Sequence, residues 1–364
     1  MPAEKALTAW ARGARYAGSK DRAAVRDHVY DVLRQKRGCA ALGGGESGRA
    51  LMIGLIRLQR GDLAALFNGV GHSPAPLTPE ESTVGPSYDG PEVPDWMLGS
   101  FEARFGADVQ SALEPLKQRA DVFLRVNLRK GDVTQAINAL GAEGITSEPF
   151  NLADAALLVT EGARKVARSE AYLDGLVELQ DAASQAAMEA LEVPNGARVL
   201  DYCAGGGGKT LALAGRGEAQ FFAHDANPKR MRDLPPRAER AGVVVECVDS
   251  DALAGLAPFD LVLCDVPCSG SGTWRRDPDA KWRFTPERLE ELNAVQDKIL
   301  DEAALLVAQG GTLAYATCSL LAQENERRID AFLSRHADWA EVYRMHWALD
   351  TGADGFFTAH LQRQ

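Results

Sequence analysis

The sequence predicts an α/β fold with a parallel sheet in its second half, and three observations support this. Five short apolar runs, ARVLDY (197–202), AQFFAHD (219–225), VVVEC (243–247), FDLVLCD (259–265) and GTLAYAT (311–317), are separated by stretches of helical spacing. Strands buried on both faces and alternating with helices make a parallel sheet. The first run opens into a glycine cluster, Cys203-Ala204-Gly205-Gly206-Gly207-Gly208-Lys209-Thr210, at the carboxyl edge where such sheets bind ligands. The fourth and fifth runs leave cysteine-bearing turns at that same edge, Asp265-Val266-Pro267-Cys268 and Ala316-Thr317-Cys318.

The preceding elements follow in chain order. Residues 4–18 and 20–36 carry helical spacing of Ala, Leu, Val and Tyr, with Ser19 as an N-cap, and further helical stretches lie at 47–58 and 61–69. Residues 1–72 therefore read as a helical domain. Prolines at 74, 76, 79, 86, 91 and 94 give 73–94 the composition of a linker. Two short helices, VFLRVN (122–127), a helix at 132–141 and strand-like pieces at 145–150 and 155–159 make 95–171 a small α+β module. The larger α/β domain takes 172–364.

Composition excludes several classes. A formal net charge of −11 argues against a uniformly positive nucleic-acid coat. Locally, residues 1–40 hold nine Lys/Arg against four Asp/Glu, which fits either a solvated helix face or an RNA-contacting surface. Six cysteines without CxxC pairs read as reduced thiols of a cytoplasmic protein. No apolar run reaches the roughly eighteen residues of a membrane span, and no metal site is expected.

The glycine loop narrows the ligand. A Walker A loop ending in Gly208-Lys209-Thr210 requires glycine at 203, where Cys203 stands, and a GxGxxG fingerprint starting at Gly205 or Gly206 meets Thr210 or Leu211 at its third glycine. The next strand ends in Asp225, placed to accept from ribose hydroxyls, and the third is followed by Asp249 and Asp251, either of which suits an adenine edge. Singly, each Asp reads first as a helix cap or surface group. In this order after a glycine loop they point to a nucleoside without phosphates, S-adenosylmethionine.

Cys247 and Cys264 sit in apolar strands and read as inert core thiols, and Cys203 as a residue packed in the loop. Cys268 and Cys318 lie in polar, small-residue turns at the ligand edge and read as a reacting pair. Spacing alone does not order them. Asp265 either hydrogen-bonds a target base or orders its own loop.

With these motifs, the chain resembles the RsmB/Nop/Sun family of RNA 5-methylcytosine methyltransferases, especially the bacterial small-subunit ribosomal RNA enzymes called Sun or Fmu. DYCAGGGGKT (201–210) is similar to the family's cofactor loop, with Gly205-Gly206 where Ala-Pro is usual. DVPCSGSGTWRRDPDAKW (265–282) is similar to its proline-cysteine motif and YATCSLLAQEN (315–325) to its threonine-cysteine-serine motif. LRVN (124–127), ELQDAASQ (178–185) and DGFF (354–357) match weaker landmarks, so the likeness covers residues 95–364. GSKDRAAVRDHVYDVLR (18–34) looks like the start of a shortened NusB-like RNA-binding domain.

The resemblance implies a class I, Rossmann-like methyltransferase domain using S-adenosylmethionine. It implies Cys318 as nucleophile and Cys268 as the thiol assisting product release. Cys203, Ala204, Gly205, Gly206, Gly207, Gly208, Lys209, Asp225, Asp251 and Asp265 are implied around cofactor and base. The implied partner is RNA, 16S ribosomal RNA foremost. A stacked cytosine hides its C6, so the target is expected single-stranded or flipped out, and the protein is expected to be a monomer. Transfer RNA as substrate, or a non-catalytic cofactor-binding role in ribosome assembly, are the alternatives. A thiol suits the chemistry, because C5 of cytosine is a poor nucleophile until a thiolate adds at C6 and makes it enamine-like.

After Cys268, the stretch from Trp274-Arg275-Arg276 to Lys281-Trp282-Arg283 interleaves cations and aromatics. It reads either as a loop guiding RNA by phosphate contact and base stacking, or as a packed surface loop.

Overall fold

The computed structural model describes residues 1–364. They divide into two compact units, one formed by Met1–Arg119 with Trp274–Phe284, the other by Ala120–Thr273 with Thr285–Gln364. No helix is long and apolar enough to cross a membrane.

The first unit is helical. Its opening helices span Ala3–Gly13, Ser19–Arg34, Lys36–Gly43 and Gly48–Leu58. Ser19 is the first helical residue rather than the cap; Gly18 caps, its N–H donating to Asp21 Oδ2 at 2.9 Å. The helix Lys36–Gly43, which the sequence did not set apart, packs on Gly48–Leu58 so closely that a Cβ on Gly54 would stand 1.9 Å from Cys39 O. The small residue is what permits that approach. In the proline-rich stretch, Glu92 and Val93 are buried, and the Glu92 carboxylate accepts the N–H groups of Arg37 and Gly38 at 2.9 and 2.8 Å.

The stretch after Cys268 completes this unit as packing. Trp274, Arg275 and Lys281 are 1%, 3% and 0% exposed. Lys281 Nζ donates to Arg34 O at 3.1 Å, Trp282 Nε1 to Leu33 O at 2.6 Å, and Arg34 Nε to Arg275 O at 3.0 Å. The RNA-guiding alternative does not hold for these side chains. Arg34, counted from sequence among the basic surface residues, is buried too.

The second unit contains both sheets. Strands β1 (Val122–Val126), β2 (Thr146–Pro149), β3 (Ala156–Glu161) and β4 (Val177–Leu179) form an antiparallel sheet in the order β2-β3-β1-β4. The helix Val133–Ala142 begins with a reciprocal cap between Asp132 and Gln135.

The larger sheet has seven strands: β5 (Arg198–Asp201), β6 (Gln220–Ala223), β7 (Val245–Cys247), β8 (Phe259–Asp265), β9 (Val307–Thr317), β10 (Trp339–Trp347) and β11 (Phe356–Arg363). Their order is β10-β11-β9-β8-β5-β6-β7, parallel from β9 to β7 and antiparallel at β11 and β10. Alternate residues feed two cores. Val199, Phe221, Leu261 and Ala314 pack with the helix Ala182–Glu189, while Leu200, Phe222, Val262 and Leu313 pack with Leu300, Ala303 and Phe332. That two-sided burial explains why the sequence shows unbroken apolar runs. Cys264 is in the core as expected, whereas Cys247, on edge strand β7, is exposed. The chain runs from β5 through β6 and β7, then returns to β8 on the other side of β5. This reversal leaves a crevice at the carboxyl ends of β5 and β8.

Candidate active site

At that crevice β5 runs into the glycine loop. Ala204 N–H donates to His224 O at 2.8 Å, and Gly205 N–H to Asp225 Oδ2 at 3.1 Å, tying the loop to the end of β6. The turn closes through Gly207 N–H to Ala204 O at 2.8 Å, with Gly205 and Gly207 at φ +49° and +78°. A Cβ on Gly207 would stand 2.4 Å from Leu234 Cδ1, so sterics and backbone both require glycine.

A cavity of about 360 Å³ opens beside the loop, within the size range of small-molecule sites. Cys203, Ala204, Gly205, Gly206, Gly208, Lys209, Asp265 and Cys318 line it. Four expected residues do not. Gly207 turns against Leu234, and Cys268 adjoins the cavity only through Cys318. Asp225 is buried, its carboxylate taken up by Gly205 N–H, Asn227 N–H and Arg230. Asp251 is exposed in the first turn of the helix Ser250–Leu256.

The walls also include residues with no role expected from sequence: Gln180, Asp181, Ser184, Asp201, Arg230, Arg237, Thr273, Asp354 and Phe356. The first three lie in ELQDAASQ and the last two in DGFF, both noted as landmarks without a function. Asp181 caps the helix Ala182–Glu189 and also accepts the N–H of Asp354 at 3.1 Å, joining these segments.

Lys209, Arg230 and Arg237 bring positive charge to the cavity wall. Lys209 Nζ donates to Asp265 Oδ2 at 2.7 Å and lies 5.1 Å from the Phe356 ring centroid. Asp201 accepts from Thr210 Oγ1 at 2.7 Å through Oδ2, but its buried Oδ1 has no protein partner. Burial pushes this carboxyl up to about 7, against the Thr210 hydrogen bond and with help from Asp265.

The two thiols meet. Cys268 follows β8, Cys318 follows β9, and their sulfurs are 3.5 Å apart. Cys318 is the one facing the cavity. The hydrogen bond between them is the largest cause holding the Cys268 thiol well above its ordinary range; burial and then the charge of Cys318 add to it.

Residues 188–362 match the family model of the 16S rRNA methyltransferase RsmB/F, and residues 93–167 match an RsmF/B-like ferredoxin-like domain. The ribosomal RNA small subunit methyltransferase B of Klebsiella pneumoniae is 33% identical over 330 residues, covering 85% of this chain and 75% of that protein. Its Shigella sonnei counterpart is 34% identical over 328 residues, with the same coverage of 85% and 75%. A methyltransferase homolog protein from Pyrococcus horikoshii, 24% identical, shares the fold with a TM-score of 0.64 over 73% of this chain and 94% of that one.

Proposed function

The chain belongs to the RsmB/F family of 16S rRNA methyltransferases, and from that premise we propose that it methylates C5 of a cytosine in 16S ribosomal RNA, using S-adenosylmethionine. The observation carrying this reading is the pair of sulfurs 3.5 Å apart at the ends of adjacent parallel strands, with Cys318 turned to the cavity.

The cavity suits the cofactor. The unpartnered Asp201 Oδ1 calls for a donor from a ligand, and the glycine loop leaves its wall free of side chains at Gly205, Gly206 and Gly208. Asp201, the loop from Cys203 to Gly208 and Arg230 would hold it. When bound, S-adenosylmethionine supplies an electrophilic methyl group on a sulfonium. Asp225 acts by bracing Gly205 rather than by lining the wall, and Asp251 is too far out on its helix to share in the cavity as it stands.

The protein's own groups do the rest. The Cys318 thiolate adds to C6 of the base, and the ring electrons pushed toward C5 take the methyl group. Asp265, held by Lys209, hydrogen-bonds the ring edge and stabilises the adduct. Once Cys318 is bonded to C6, its hydrogen bond and charge no longer hold the proton on Cys268. Cys268 gives that proton to solvent and, as thiolate, takes the C5 proton, while Cys318 leaves as thiolate and the ring is restored. A stacked cytosine hides C6, so the base is met single-stranded or flipped out, by a monomer in the cytoplasm. The exposed Arg12, Arg15, Lys20 and Arg22, with Tyr16 85% exposed among them, fit an RNA-contacting role for the helical N-terminal region.

The test is methyl transfer to 16S ribosomal RNA followed by bisulfite mapping. Wild type is expected to place one class of product, 5-methylcytosine, and Cys318→Ala none. Cys268→Ala is expected to accumulate a covalent RNA adduct. Adduct formation by Cys318→Ala but not by Cys268→Ala reverses the roles, and methylation by neither wild type nor variants rejects the reading.

A further inference from the structure

One buried carboxylate ties together the turns that carry the two thiols. Glu324 is 0% exposed. Its Oε1 accepts the backbone N–H of Ser269 at 2.7 Å and Gln296 Nε2 at 3.2 Å. Its Oε2 accepts the hydroxyls of Ser269 and Ser319, each at 2.5 Å. Ser269 directly follows Cys268, and Ser319 directly follows Cys318. The residues directly after both cysteines are thus held by a single side chain, Ser269 through its N–H and hydroxyl and Ser319 through its hydroxyl.

Surrounding bonds fix the backbone that carries that carboxylate and the turns it joins. Tyr315 Oη donates to Glu324 O, while Asn325 Nδ2 donates to Ser319 O at 2.8 Å and Thr317 Oγ1 to Asn325 Oδ1 at 2.6 Å. Ser271 Oγ accepts the N–H of Leu320 at 2.8 Å, a second tie between the same two turns. Stability alone is a weak reason for such a hub, since well-packed apolar residues usually replace a buried charged network at no loss. A fixed geometry is the better reason, because a reacting group displaced by about 1 Å loses about a hundredfold in rate. The charge of Glu324 also bears on Cys268, after the larger effects of Cys318 and burial.

We propose that Glu324 is a positioning residue of the methyl transfer, setting the separation and mutual orientation of Cys268 and Cys318 by holding Ser269 and Ser319 on one carboxylate. The proposal rests on the reading of those thiols as the reacting pair.

Phenylarsine oxide tests the geometry directly, because its arsenic bridges two thiols only when their sulfurs are close, and it needs neither RNA nor methyl donor. Capture by wild type and its loss in Cys268→Ser identify the signal. Glu324→Ala is expected to slow capture about tenfold and to lower kcat about a hundredfold, with both KM values within about threefold. Glu324→Gln, of the same shape, is expected to recover at least about a tenth of wild-type kcat and near-normal capture. Unchanged kcat or unchanged capture in folded Glu324→Ala overturns the proposal, as does a loss carried by KM or a failure of Glu324→Gln to recover capture. Should Glu324→Ala not fold, Ser319→Ala decides: a kcat about tenfold down supports the proposal, and one within about threefold of wild type overturns it. Full activity in Cys318→Ala, by contrast, overturns the reading of the thiols and leaves the arsenical result standing on its own.

Discussion

Lys209 Nζ stands 2.7 Å from Asp265 Oδ2, joining the glycine loop to the end of β8 in the cavity wall. Burial opposes the lysine's charge, but the charge and hydrogen bond of Asp265 together outweigh it and hold its pKa above the usual value. The ammonium is therefore present at neutral pH, where it fixes the Asp265 carboxylate. Lys209→Met is expected to lower kcat/KM about a hundredfold. Because the two residues act as a unit, Lys209→Met with Asp265→Asn is expected to cost less than the sum of the single losses. Steady-state methyl transfer by the four proteins checks this; strict additivity assigns the residues separate tasks.

Asp201 is expected to give stability a pH slope. Its folded pKa of about 7, raised by burial, lies above the unfolded value of about 3.9. Between those values the folded state keeps a proton that the unfolded chain has lost, so this group's contribution falls as pH rises through the window. It is most favourable below the window and least favourable above it. Asp201→Asn keeps an acceptor for Thr210 and removes the titration, and is expected to flatten the slope by a few kcal/mol at most, on the order of the shift itself. Thermal melts at about pH 5 and about pH 8 compare the two proteins. An unaltered slope would place the proton on another group.

Trp274 is expected to act through packing. It is 1% exposed and meets Phe101 edge-on with centroids 6.5 Å apart and Phe284 at 6.3 Å. Trp274→Ala is expected to cost about 3–5 kcal/mol in denaturant unfolding, the range for emptying a buried aromatic position. At a temperature where the variant is still folded, its affinity for RNA is expected to match wild type. Weakened RNA binding with undiminished stability would restore the base-stacking alternative.

The parallel core was readable because burial on both faces leaves a plain trace: FDLVLCD and GTLAYAT are apolar at nearly every position, and each became β8 or part of β9. Trp339–Trp347 left no such trace. It is an edge strand in which only Trp339 is fully buried, and its charged and polar positions look like those of a loop. The glycine loop and the two thiol turns were readable because each stands directly after a strand end. Glu324 was not, since nothing in its local spacing announces that three donors from Ser269 and Gln296, far along the chain, join the nearby Ser319 hydroxyl on it. The cations after Cys268 were misleading for a related reason. Lys281 reads as a surface residue until the Arg34 carbonyl and the buried Glu92 are brought near its ammonium by folding. The pair bears opposite shifts, with burial lowering Lys281 to about 7 and raising Glu92.

The interleaving of Trp274–Phe284 with Met1–Arg119 has a consequence for the order of events during synthesis. Residues 1–119 are made before residues 274–284, so the indole of Trp274 and the ammonium of Lys281 that fill the helical unit's interior are still untranslated when Arg119 is joined. Domains generally fold as they emerge, amino-terminal part first. Here the helical unit is incomplete until residue 284 has been added, after the glycine loop and Cys268. A nascent chain stopped at Arg119 is therefore expected to expose an apolar recess, and a gene fragment encoding only residues 1–119 to yield a protein less ordered than the same residues in the full-length chain.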